Sequence, residues 1–202
     1  EAEGGLAPFA QGLYANSEMF LLGLLVLLEA GVVRRPVYPD VRLQRLANAG
    51  MLDPHGAVTD LDGLLDELPR VLDGDSLAWL QRHGLLGEAV RLDGGQLLLG
   101  DGRRLSPDVE NAATRPALVE QLGQVRGGVL IHGGFFLGPE AFYQRLRELG
   151  DGPLSRIAMT AISYVNRLHG DEELKRLQRR DARFVNSCFT ITLLGASAAD
   201  QL

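Results

Sequence analysis

The stretch that decides the fold is Gly12-Leu13-Tyr14-Ala15-Asn16-Ser17-Glu18-Met19-Phe20, which runs straight into Leu21-Leu22-Gly23-Leu24-Leu25-Val26-Leu27-Leu28-Glu29-Ala30-Gly31. Residues 9–17 read as a strand ending on polar Asn16 and Ser17, and residues 19–30 as a helix stopped by Gly31. The helix is apolar almost all round, which predicts burial on most of its faces. Glu18 then falls at a strand-to-helix junction with little solvent, where a carboxylate must be paired or hydrogen-bonded to offset its lost hydration. Two readings stay open from the residues alone: a helix-terminal carboxylate beside a Ser17 cap, or a group that does chemistry.

Working outward, 202 residues allow one large or two small domains, and a hydrophobic content of 46% is ordinary for a globular chain with a real core. A net charge of -6 and a pI near 5.2 argue against a surface built for nucleic-acid phosphates. The lone cysteine, Cys188, falls within a predicted strand, so an intrachain disulfide is excluded and a reducing, cytoplasmic setting fits. The apolar run from Met19 to Leu28 is about half the ~20 residues a membrane-crossing helix needs. No signal peptide is evident, and the chain starts at Glu1 without Met, as expected for a piece of a longer protein.

Residues 1–8 read as a flexible lead-in, and Val32–Tyr38 as a short extended segment. Asp40 caps a predicted helix carrying Val41, Leu43, Leu46 and Ala47, with Gly50 as its stop. Residues 51–125 form a mainly helical insertion: one short helix follows Thr59, another carries Leu77 and Leu80, a hairpin turns at Asp93-Gly94-Gly95, and helix is compatible with Pro107–Leu122. From residue 126 the pattern becomes regular. Val129–His132 reads as a buried strand, Gly133–Gly138 as a loop and Pro139–Leu149 as an amphipathic helix; Ile157–Val165 is a second strand, Asp171–Arg180 a charged helix and Phe184–Leu194 a third strand. This succession predicts the α/β class, a mostly parallel open sheet with crossover helices, built from residues 1–50 and 126–202 around the insertion.

His55, His83, His132 and His169 lack metal-ligand spacing, so no metal site is expected. Gly133-Gly134-Phe135-Phe136-Leu137-Gly138 follows a strand and precedes a helix, and reads equally as an anion cradle or as a tight turn needing positive φ. Lys175, Arg176, Arg179, Arg180 and Arg183 alternate with Glu172, Glu173 and Asp181, the pattern of a solvated helix face with i to i+4 pairs. Asn166 and Asn186 each close a run of β-formers, where an amide either holds a turn or reaches into a site.

Several of these pieces together resemble the acetyl-CoA hydrolase/transferase family, relatives of the 4-hydroxybutyrate and succinyl-CoA:acetate CoA-transferases. The likeness runs through Gly12–Phe20 and Glu29-Ala-Gly31, Val37-Tyr38 with the following Leu-Gln-Arg-Leu, His132 to Pro139 with Phe142-Tyr143, Ser163–Asn166, and Arg179–Asn186 to Leu193-Leu-Gly195. It skips much of 51–125. It implies a CoA-transferase-like fold, Glu18 as the nucleophile, Asn166 as a substrate-binding amide that positions the Glu18 carboxylate or a thioester oxygen, and Gly133, Gly134 and Phe135 lining the acyl pocket. Coenzyme A enters as acyl-CoA substrate, with a small carboxylate as partner; no metal, membrane or nucleic acid is implied, and a homodimer is compatible. The family also has a preceding domain and a later Gly-x-Gly-Gly loop. Their absence here implies a truncated catalytic half, inactive alone, with a non-catalytic module binding acyl-CoA or a partner domain as the alternative.

Overall fold

The computed structural model describes residues 12–185 and 188–198. Strand β1 (Ala15–Phe20) carries Glu18 in its interior, and helix α1 (Leu22–Glu29) begins four residues after it. The expected strand-to-helix junction at Glu18 is therefore displaced. Pairing of β1 with Ile131–Phe136 in parallel register, Met19 opposite Phe135 and Phe20 opposite Phe136, keeps the chain extended through Phe20. Ser17 caps nothing: α1 has no side-chain cap, and the Ser17 hydroxyl donates to the Met19 carbonyl at 2.9 Å. The part of the predicted 9–17 strand before residue 12, like the lead-in, lies outside the described residues.

The expected burial of α1 on most faces is also wrong. Of its residues only Leu25 is fully buried, against Phe20, Val33 and Phe142, while Leu22, Val26 and Leu27 are 37–45% exposed. Among the described residues only one side of the helix, Leu24, Leu25 and Leu28, packs on the core beneath the parallel sheet.

Helix α2 (Val41–Asn48) is capped by Asp40, whose carboxylate accepts from Leu43 N at 3.0 Å, and Gly50 ends it with φ +81°. The same device starts α3 (Leu61–Asp66) from Asp60 and α4 (Gly74–Arg82) from Asp73. Strands β2 (Arg91–Asp93), β3 (Gln96–Leu98) and β4 (Arg104–Leu105) form an antiparallel sheet whose first turn places Gly94 and Gly95 both at positive φ, as a two-residue primed turn demands. Helix α5 (Thr114–Gln121) holds Pro116 in its first turn, where no intrahelical N–H bond is lost. These elements share one core of twenty buried residues from Tyr38 to Val125, against seven in the core beneath the parallel sheet. The larger core thus lies in the middle of the chain.

The chain returns to the first sheet through β5 (Ile131–Phe136), α6 (Glu140–Glu148), α7 (Asp151–Leu154) and β6 (Ile157–Met159). The sheet order is β1-β5-β6, all parallel, which makes the protein a mixed α/β chain with a three-stranded parallel sheet. Two predicted strands differ. Residues 157–165 divide into β6 and a five-residue helix, α8 (Ile162–Asn166), which packs on β1 and β5. Helix α9 (Glu172–Gln178) then packs on α2, and the segment read as a third strand contributes only β7 (Thr190–Ile191), paired antiparallel with β8 (Ser197–Ala198) outside the parallel sheet. Cys188 precedes β7 and is exposed, and Asn186 lies outside the described residues. No helix is long and apolar enough to cross a membrane, among the described residues.

Candidate functional site

Glu18 stands near the carboxyl end of β1, an edge strand, and is exposed; the expected loss of solvent does not occur. Its carboxylate accepts a hydrogen bond from the side-chain amide of Asn166, 148 positions away in sequence and the last residue of α8. Two residues earlier on β1, the Asn16 amide donates to the Val165 carbonyl at 3.1 Å. β1 and α8 are thus joined by two asparagines, one on each element.

Close approach of α8 to the sheet depends on glycine. A Cβ at Gly134 would stand 2.8 Å from the Glu18 carbonyl oxygen and 2.9 Å from Ile162 Cγ1, distances no real Cβ adopts. Gly133 faces Met159, whose sulfur would lie 3.2 Å from an added Cβ. Both glycines are inside β5, and neither they nor Gly138 has positive φ, so the anion-cradle loop and the tight-turn readings are both overturned. The ladder with β1 extends strand structure across the segment, and its glycines serve close packing. Phe135, opposite Met19, is 39% exposed on the same strand.

Next to the Glu18–Asn166 pair lies a partly buried polar array. Tyr14 Oη is 2.7 Å from His132 Nδ1 and 3.3 Å from Asn16 Oδ1, and the His132 ring meets both the Tyr14 and Tyr164 rings. Burial, with Arg179 and Lys175 adding positive potential, pushes His132 down to about 4, so the imidazole is neutral at pH 7. Burial likewise raises the Tyr14 phenol above its ordinary range, with Tyr164 adding to the effect. Lys175 is 2% exposed and donates to the Tyr164 carbonyl at 2.8 Å and to the Arg167 carbonyl; its ammonium also sits 4.6 Å from the Tyr164 ring centroid. Arg179 donates to the Val165 carbonyl at 2.8 Å. The solvated-face reading fails for these two cations, which point inward onto α8. The reading holds for Arg176, Arg180 and Arg183, which are exposed, while Glu173 pairs with Arg45 of α2 at 2.5 Å and not within its own helix.

Reading the chain alone missed Tyr14, Asn16, His132 and Lys175 as site neighbours. Tyr14 and Asn16 alternate with Ala15 and Ser17, a polar two-residue period beside an apolar helix that marks a strand with a polar face. Two hollows of about 470 and 480 Å³ lie elsewhere, the first lined by His55 and Arg156 and the second by Arg42 and Asp171; Glu18 lines neither. No group of three His, Cys, Asp or Glu side chains is assembled for a metal ion, among the described residues. The arrangement at Glu18 offers an exposed carboxylate held by one amide at a sheet's carboxyl end, where open α/β sheets present their chemistry. Comparison of the chain with protein-family models, with curated proteins and with solved structures finds no match.

Proposed function

We propose that the chain carries the reacting carboxylate of a CoA-transferase or acyl-CoA hydrolase of the acetyl-CoA hydrolase/transferase type, acting on an acetyl-CoA-like thioester through a covalent intermediate on Glu18. The observation that carries this reading is the hydrogen bond from Asn166 to Glu18, two residues that family likeness singles out and that the fold brings together. An amide bound to one carboxylate oxygen fixes the plane of the group and leaves the other oxygen as nucleophile.

That free oxygen attacks the thioester carbonyl carbon, the C–S bond breaks, and CoA leaves as thiolate with an acyl-glutamyl anhydride behind it. The thiolate then attacks the glutamyl carbonyl, releasing the acyl group as a carboxylate and forming a glutamyl-CoA thioester. An acceptor carboxylate reverses the two steps and regains Glu18, whereas attack of water on either intermediate gives hydrolysis. Access of water therefore separates transferase from hydrolase. Flanking sequence, including a preceding domain and a Gly-x-Gly-Gly loop, would enclose Glu18, which is open to solvent here; Gly133, Gly134 and Phe135 would border the acyl group. Coenzyme A is the only cofactor-like group required, and the cytoplasm, where acyl-CoA and small carboxylates meet, is the setting.

The test is CoA-thiol release and acyl exchange by the complete polypeptide, wild type against Glu18→Gln. Turnover abolished by Glu18→Gln supports the reading; equal turnover in both proteins removes Glu18 from the chemistry and overturns it, and acyl-CoA binding with no turnover in either assigns the chain to a non-catalytic module instead.

A further inference from the structure

We propose that Lys175 of α9 and Arg179, the residue that follows this helix, are positioning residues for Glu18, holding the C-terminal turn of α8 so that the Asn166 amide stays on the carboxylate. The catalytic consequence rests on the reading of Glu18 as nucleophile; the positioning itself does not.

Helix α8 is only five residues long, starts without a side-chain cap and stands 42% exposed at Ile162, so its own propensity cannot hold it. Its carbonyls supply the hold. Lys175 Nζ takes those of Tyr164 and Arg167, on either side of Asn166, and Arg179 shares that of Val165 with Asn16. The cations stand at the negative end of the helix, where they complement its unsatisfied carbonyls. Neither forms an ion pair with a carboxylate, among the described residues, although a lysine is almost never fully buried unless paired. Lys175 spends its donors on the turn bearing Asn166, and α9 is itself braced on α2 by Arg45–Glu173 and by the Asn48 amide on the Leu177 carbonyl at 3.0 Å. A chain of contacts thus runs from the middle core through α9 and α8 to Glu18.

The experiment reads the side-chain amide protons of Asn166 by NMR in wild type, Lys175→Met, Arg179→Met and Arg179→Lys, with Glu18→Ala as the unbonded reference. In wild type the proton donated to Glu18 should lie downfield and widen the gap between the two signals, and in Glu18→Ala that gap should collapse to the one a free primary amide shows. Lys175→Met and Arg179→Met should collapse it too, with backbone signals of Leu64 and Leu85 unmoved, while Arg179→Lys should keep it. Single-turnover acylation of Glu18 should fall on the order of 100-fold in the Met variants, the scale of a small misplacement. If Lys175→Met does not fold, Arg179→Met decides, because Arg179 is only half-buried. A wild-type amide pattern in Arg179→Met overturns the inference. Collapsed amide signals without acylation of wild-type Glu18 leave the positioning standing and sink the proposed function alone.

Discussion

The side-chain amide of Asn166, at the end of α8, donates to the carboxylate of Glu18 on β1, and Gly134 beneath them leaves the space that lets the two elements meet. Asn166→Ala removes that donor from an exposed position and should leave stability within about 0.5 kcal/mol of wild type. Thioester turnover should fall on the order of 100-fold, the loss seen when one preorganised donor is deleted. Asn166→Asp puts a second carboxylate against the first, so the acid limb of the pH–rate profile should move to higher pH. An unmoved profile in Asn166→Asp contradicts the pairing.

Gly134→Ala should destabilise the chain by roughly 1–3 kcal/mol, because its Cβ meets a backbone carbonyl and the first turn of α8. Gly23→Ala, in α1 with nothing within 4 Å of the added Cβ, should stabilise by roughly 0.5 kcal/mol. Urea unfolding of the two variants checks the contrast.

The two sides of α1 should respond differently. Leu25→Ala, at a fully buried position, should cost roughly 2–5 kcal/mol, whereas Val26→Gln, 45% exposed, should change stability by less than about 0.5 kcal/mol. Equal losses at both positions in chemical denaturation would contradict the exposure of that face.

His132 makes stability depend on pH. Its folded pKa of about 4 lies below its ordinary 6.5, so the unfolded chain binds the proton more readily in between. The contribution is present above pH 6.5 and is lost as pH falls toward 4, roughly 2 kcal/mol disappearing between pH 7 and pH 5. Denaturation midpoints at these two pH values, compared with the non-titrating His132→Asn, measure it; an equal acid loss in the variant would assign the effect elsewhere.

Local chemistry was legible where one residue type decides the backbone. Asp40 and Gly50 mark both ends of α2, Gly94-Gly95 marks the hairpin, and Pro139 marks the start of α6. Pairing partners were not. The β1 ladder carries strand structure past Glu18, and a neighbouring strand also draws Gly133-Gly134 out of the loop that their composition suggests. Residues 162–166 are rich in β-formers yet fold as a helix whose Tyr164 and Val165 carbonyls take donors from Lys175 of α9 and from Arg179 just after it. The inward direction of Lys175 has no signature in a charge pattern that looks solvated. Glu18 and Asn166 could be singled out by resemblance, while the elements that present them, and the exposure of Glu18, required the fold.

The most direct measurement is mass-spectrometric mapping of the complete polypeptide after incubation with acetyl-CoA and quenching with hydroxylamine. A nucleophilic Glu18 predicts a hydroxamate on the peptide containing Glu18, dependent on acetyl-CoA and missing in Glu18→Gln. A hydroxamate on a different residue, or none while thioester turnover proceeds, would contradict it.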